Sequence, residues 1–128
     1  METIVTTAPN AVDVRILRIE GDASDCSRDA AGKLEPVLEN LLAAGLRYLV
    51  VDLEALADIG CTALSKLMCA VILLRGTGGD MAFAAAGEQT LATLKQYGVD
   101  NMVHIYATVH AATVALQGPM AGGRADRL

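Results

Sequence analysis

The stretch from Arg47 to Ala86, "RYLVVDLEALADIGCTALSKLMCAVILLRGTGGDMAFAAA", decides the fold class of this 128-residue chain. It opens with "RYLVVDL", a short continuous apolar run of the kind that forms a strand covered on both faces. Leu64, Leu67, Met68, Val71 and Ile72 then recur at helical spacing. The helix should end near Gly76, with "GTGG" as its C-terminal cap and turn. "DMAFAAA" reads as the next strand. A strand, a helix and a second strand in this order imply parallel pairing through a right-handed crossover.

The flanks extend the same pattern. At the N-terminal side, "ETIVTT" is β-rich, "APN" supplies turn residues, and "VDVRILRIE" alternates apolar with charged positions. These two runs predict an antiparallel hairpin, with Gly21 ending its second strand. "DASDCSRDAAG" reads as a polar loop. Leu34, Val37, Leu38, Leu41 and Leu42 predict a helix closed by Gly45, and Pro36 is compatible with it only in the first turn or at a kink. Beyond Ala86, "EQTLATLKQYG" reads as a helix, "MVHIYA" as a strand and "TVHAATVALQG" as a last helix. The expected order is ββαβαβαβα. It makes an α/β mixed sheet of about five strands, antiparallel only in the N-terminal hairpin, packed with about four helices. One domain is expected over 1–118, with a flexible tail over 119–128.

Composition narrows the function. Apolar residues make up 53% of the chain, with no Trp and one Phe, so a folded aliphatic core is expected. The net charge of −5 argues against a nucleic-acid binder and against docking on an anionic membrane. No apolar run is long enough to span a bilayer, and "METIVTT" lacks the basic start of a signal peptide. A cytoplasmic protein is the expectation. Cys26, Cys61 and Cys69 form no CxxC pair and no Cys/His cluster, so neither a structural zinc site nor any other metal or cofactor is expected.

In parallel sheets, functional loops lie beyond the carboxyl ends of the strands. Two qualify here: Gly21 to Arg28, with Asp22, Ser24 and Asp25, and Asp58 to Thr62, with Cys61. No glycine-rich phosphate loop follows a strand. The two histidines, His104 and His110, have no evident relation to Cys61, so no catalytic pair is assigned.

The run from Leu53 to Met81 resembles the STAS domain, the family of sulphate-transporter tails and anti-sigma factor antagonists. In that family a strand ends in an Asp-Ser-Ser-Gly-Leu or Asp-Thr-Ala-Gly-Leu motif, a helix begins within it, and a Gly-Gly-acidic turn leads to the next strand. Here Leu64 supplies the motif's Leu, and Gly78, Gly79 and Asp80 supply the turn. "ILRIEG" looks like the family's second strand, and "LKQYGVDNMVHIYATVHAATVAL" looks like its ending, so the resemblance covers residues 2 to 117. Matched without gaps, the motif falls on Gly60, Cys61, Thr62 and Ala63. The phosphorylatable hydroxyl therefore falls on Cys61, and the motif's Asp is absent unless Asp58 substitutes for it. The family's acidic residue after the second strand falls on Ser24, between Asp22 and Asp25.

What the resemblance implies is a non-enzymatic interaction domain. The loop and second helix would dock on a partner kinase, an anti-sigma factor or an assembly subunit, and a phosphate on the loop would abolish docking by adding charge to the interface. With Cys61 in the acceptor place, the expectation is binding without that switch. Asp58, Gly60, Cys61, Thr62 and Ala63 would form the docking loop. Ser65, Lys66, Cys69 and Leu73 would form the partner-facing side of the helix. Ala63, Ala70, Leu73 and Leu74 are too many to turn inward together, so an apolar outer patch is expected, for a partner or for a homodimer.

Cys61 carries three readings. It is a half-buried helix-cap residue, the remnant of a lost phospho-switch, or a redox thiol favoured by the helix N-terminus. A disulfide with Cys69 is out of reach, since eight residues of helix span roughly 12 Å. A pair with Cys26 is open, because both loops should lie at neighbouring strand ends. Thr62 is either a fallback phospho-acceptor or a first-turn residue satisfying a backbone N–H. The rival functions are a redox sensor or small thiol enzyme using Cys61, and a STAS subunit of a lipid-transport or stress-signalling complex.

Overall fold

A computed structural model describes residues 2–7, 14–24, 32 and 34–116. The elements are β1 (Glu2–Thr7), β2 (Val14–Ala23), α1 (Leu34–Ala43), β3 (Tyr48–Asp52), β4 (Leu56–Ile59), α2 (Cys61–Gly76), β5 (Asp80–Ala84), α3 (Glu88–Gln96), a 3-10 turn (Val99–Asn101), β6 (Ile105–Tyr106) and α4 (Val109–Leu116). Five strands run in the order β1-β2-β3-β5-β6, and a sixth, β4, pairs with β2. β1 is antiparallel to β2, with Thr3 opposite Ile19 and Val5 opposite Leu17. All other pairings are parallel. The tail over 119–128 lies outside the described residues.

Side-chain alternation splits the core in two. Leu17, Ile19, Leu49, Val51, Met81 and Phe83 belong to one buried cluster, completed by Leu34 and Leu38 of α1, Leu64, Leu67, Val71 and Leu74 of α2, and Leu94 of α3. Val14, Val50, Ala82, Ala84 and Tyr106 meet Ala112 and Leu116 of α4 in the other. Both faces of the central strands are therefore covered, which is why β3 is apolar from Tyr48 to Val51 instead of alternating. Each fully buried Leu on α2 contributes about 1.5–3 kcal/mol relative to exposure.

Both crossover helices facing α2's end of the sheet close with the same turn. After α1, the Gly45 N–H donates to the Leu42 carbonyl at 3.1 Å and the Leu46 N–H to the Leu41 carbonyl at 3.1 Å. After α2, the Gly78 N–H donates to Arg75 at 3.3 Å and the Gly79 N–H to Leu74 at 2.8 Å. This is the Schellman arrangement, and Gly78, at φ +88°, takes its left-handed position. Gly79 is needed for another reason: a Cβ there would stand 1.9 Å from the Arg47 carbonyl oxygen. "GTGG" is thus a helix stop and strand entry, as its place before a strand implies. Pro36 falls in the first turn of α1, where its missing N–H costs nothing.

Three features differ from the sequence reading. β2 does not end at Gly21 but runs on to Ala23. Residues 56–59 form the strand β4, which the periodicity did not suggest, so Asp58 is a strand residue. On α2, Ala63, Ala70 and Leu74 are buried and do not form the expected outer patch, because the helix packs against α1 as well as the sheet. Ile72, counted on the inner face, is 64% exposed and stands beside Leu73 at 57%.

Candidate functional site

The site is assembled by backbone contacts between β2 and β4. Gly21, at φ +89°, donates its N–H to the Ala55 carbonyl at 3.1 Å. The register with β4 shifts between Gly21 and Ala23. Beyond the shift, the Gly60 N–H donates to the Ala23 carbonyl at 2.7 Å. Asp22 and Ser24 are thereby set beside Gly60 and Cys61, so the two loops singled out in the sequence meet. Asp25 and Cys26 lie outside the described residues, and with them the Cys26–Cys61 pairing.

The β2 side is a local turn. The Ser24 N–H donates to Asp22 Oδ1 at 2.8 Å. The Ser24 hydroxyl and this N–H together hold the Asp22 carboxyl below its ordinary value. Both residues are exposed.

The β4 side leads straight into α2. Gly60 is the N-cap in extended conformation, and its carbonyl accepts the Leu64 N–H at 3.0 Å. Cys61 is the first helical residue and is exposed rather than half-buried. Thr62 is half-buried and Ala63 buried. The positive end of the α2 dipole therefore lies at Cys61 and Thr62, where it favours an anion or a thiolate.

Asp58 is occupied elsewhere. Its Oδ1 accepts the Thr93 hydroxyl at 2.8 Å and its own neighbour's N–H, that of Ile59, at 2.8 Å. Gln89 donates to Oδ2 at 3.4 Å, and the Thr90 hydroxyl reaches the Leu56 carbonyl at 3.3 Å. The carboxylate thus ties β4 to α3. At the start of the turn before β4, Asp52 is buried, accepts Arg18 at 3.2 Å and takes the Glu54 N–H at 3.0 Å. Arg18 also donates to Glu20 at 2.8 Å. This ion cluster holds the short turn through which the chain passes from β3 to β4, both parallel to β2.

Along α2, Cys61, Ser65 and Cys69 are exposed at spacings of four residues, and Ile72 and Leu73, also exposed, follow three and four residues after Cys69. They form one outward stripe on a helix roughly 24 Å long. Lys66 sits beside it, paired with Glu35 of α1, which raises its pKa. Ile72 is the member that sequence reasoning missed. A signal was present, since it continues the series from Cys61 through Ser65 and Cys69. Arg18 and Asp52 were also missed; an acid ending an otherwise apolar strand was the cue.

His104 stands against Tyr106 with ring centroids 6.3 Å apart, and His110 is on α4, in the layer across the sheet from α2. Among the described residues no group of three His, Cys, Asp or Glu side chains could hold a metal ion. Among them, too, no helix is long and apolar enough to cross a membrane.

Comparison with known proteins follows this geometry. The chain resembles an anti-sigma factor antagonist from Mycobacterium paratuberculosis, with a TM-score of 0.78 at 23% identity over 91% of this chain and 94% of that one. A putative anti-sigma factor antagonist from Thermotoga maritima superposes with a TM-score of 0.75 at 19% identity, over 91% and 95% of the two chains. The Bacillus cell fate determinant SpoIIAA in its phosphorylated form gives 0.64 at 11% identity, over 87% and 96%. No curated protein sequence matches significantly. The STAS domain profile matches residues 5–112. A mixed sheet with one antiparallel edge, flanked by four helices and carrying this profile over most of its length, places the chain in the STAS domain family.

Proposed function

We propose that this domain is a cytoplasmic regulatory module of the anti-sigma factor antagonist type, non-enzymatic, that binds an anti-sigma factor or serine kinase through the Gly60–Ala63 loop and the outer stripe of α2. One observation carries the reading. The exposed start of α2, with Cys61 as its first residue, is held by a main-chain bond against the Asp22–Ser24 turn, and the ungapped motif match puts Cys61 in the acceptor place. A thiol is not a substrate for a serine kinase, so binding is constitutive with respect to that switch. The solved antagonists support the reading through their shared fold.

The test is capture of partners from native cells on the intact chain, followed by incubation with ATP and the captured kinase. The expected result is an anti-sigma factor or serine kinase in the captured fraction, no phosphate on the parent chain, and phosphate on Cys61→Ser with loss of binding. Phosphate on Thr62 of the parent would overturn the lost switch. Absence of any such protein from the captured fraction would overturn the partner class.

A second reading rests on the exposure of Cys61 at a helix N-terminus. A thiol so placed is a redox sensor if its thiolate is favoured. Alkylation of Cys61 no faster than that of Cys69 removes this reading.

A further inference from the structure

β1 is the edge strand of the sheet, and among the described residues nothing pairs with its outer side. Ile4 and Val5 lie at its centre, 44% and 41% exposed. They stand on opposite faces, Ile4 across from Arg18 and Val5 across from Leu17. Neither helical layer therefore reaches over this edge. Edge strands of soluble proteins are ordinarily protected by Lys, Pro, a bulge or shortness. "ETIVTT" has none of these: it is a regular six-residue ladder, and Thr3 to Thr7 are all β-branched.

We propose that β1 pairs antiparallel with β1 of a second copy, joining two sheets into one. The strand is its own best complement. Directly opposite residues in an antiparallel ladder point their N–H and C=O groups the same way, so a two-fold axis can oppose only positions of equal parity. Centred on the two middle residues of the six-residue strand, the axis passes through Ile4 or through Val5. Through Ile4, it sets Ile4 against Ile4, Thr3 against Val5 and Glu2 against Thr6. Through Val5, it sets Val5 against Val5, Ile4 against Thr6 and Thr3 against Thr7. Either register opposes β-branched residues at its centre on both faces, and neither opposes two like charges.

The geometry has a functional corollary. A two-fold axis normal to the sheet reverses strand direction, so the two Gly60–Ala63 loops point to opposite ends of the joined sheet, and both α2 helices stay on the same face. On the proposed docking role, which the pairing itself does not require, the dimer holds two partners at once.

The test is analytical ultracentrifugation of the intact chain over a concentration series, with cysteine cross-linking in a background where Cys26, Cys61 and Cys69 are Ser. The parent mass should double with concentration. Under mild oxidation, Ile4→Cys or Val5→Cys should give a disulfide-linked dimer faster than Thr3→Cys, whose counterpart in the pair is never Thr3. The double variant Ile4→Lys with Val5→Lys should stay monomeric with an unchanged circular dichroism spectrum. A parent that remains monomeric, as expected if the edge instead receives a strand of another protein, overturns the proposal. So does a dimer that survives the double Lys substitution, or one that neither Ile4→Cys nor Val5→Cys cross-links preferentially.

Discussion

Thr93 of α3 and Asp58 of β4, 35 positions apart in the chain, share a hydrogen bond of 2.8 Å. With Gln89 and Thr90 it makes α3 a clamp on the short strand that feeds α2. The carboxylate that sequence matching offered as a replacement for the motif's Asp is thus committed to holding the loop in place. Thr93→Val and Asp58→Ala should each lower unfolding free energy by at least about 1 kcal/mol, the ordinary worth of a partly buried hydrogen bond. Chemical denaturation of both single variants and the double should show sub-additive losses, since they remove the same contact.

Gly79 and Gly76 belong to one turn but face opposite fates. Gly79→Ala drives a Cβ into the Arg47 carbonyl, where backbone and not a flexible side chain must yield. It should cost at least about 3 kcal/mol, in the range that overpacking reaches. Gly76→Ala meets nothing within 4 Å and replaces a helical glycine. It should stabilise by about 0.5–1 kcal/mol. Thermal melts of the two variants should therefore shift in opposite directions.

Ala85 holds φ at +58°, a left-handed backbone on a residue with a Cβ, while its N–H donates to the Tyr106 carbonyl at 3.0 Å. The strain of that conformation is about 1 kcal/mol. Ala85→Gly relieves it and should raise the melting temperature, whereas Ala85→Val should lower it.

Lys66 titrates above its ordinary value because its ammonium is hydrogen-bonded to Glu35 and attracted by that carboxylate. A raised folded-state pKa means that the pair's contribution is fully present below the unfolded Lys value of about 10.4 and is lost as pH rises through the folded value. Glu35→Gln should move the Lys66 titration, followed by NMR of the side-chain Nζ, back toward that value. It should also remove the alkaline part of the stability profile that differs between variant and parent.

The parts of the fold that could be read from sequence are those with long, consistent patterns. "YLVV" is apolar because α4 covers one face and α1 and α2 the other, so a continuous run was an adequate signal. The Gly78–Gly79–Asp80 turn was legible because backbone geometry dictates its residues. β4 was hidden because "LADI" is four residues long, carries a charge and pairs only with the end of β2, across a register shift. The inner face of α2 was misjudged at Ile72 because apolar residues surround that helix, and its burial is set by α1 as well as the sheet, which periodicity does not see. The two loops were located by their place beyond strand ends, whereas the acceptor place at Cys61 came from resemblance to a family motif; no local propensity marks Cys61 as important.

The contact that joins the two loops, Gly60 N–H to Ala23 carbonyl, involves no side chain. The join between the frame's two halves therefore does not depend on which side chain stands at its tip. Such a frame behaves as a tool holder with interchangeable bits. On the proposed function, one mutational step that trades a hydroxyl for a thiol at its tip retires one form of control and leaves the docking shape in place.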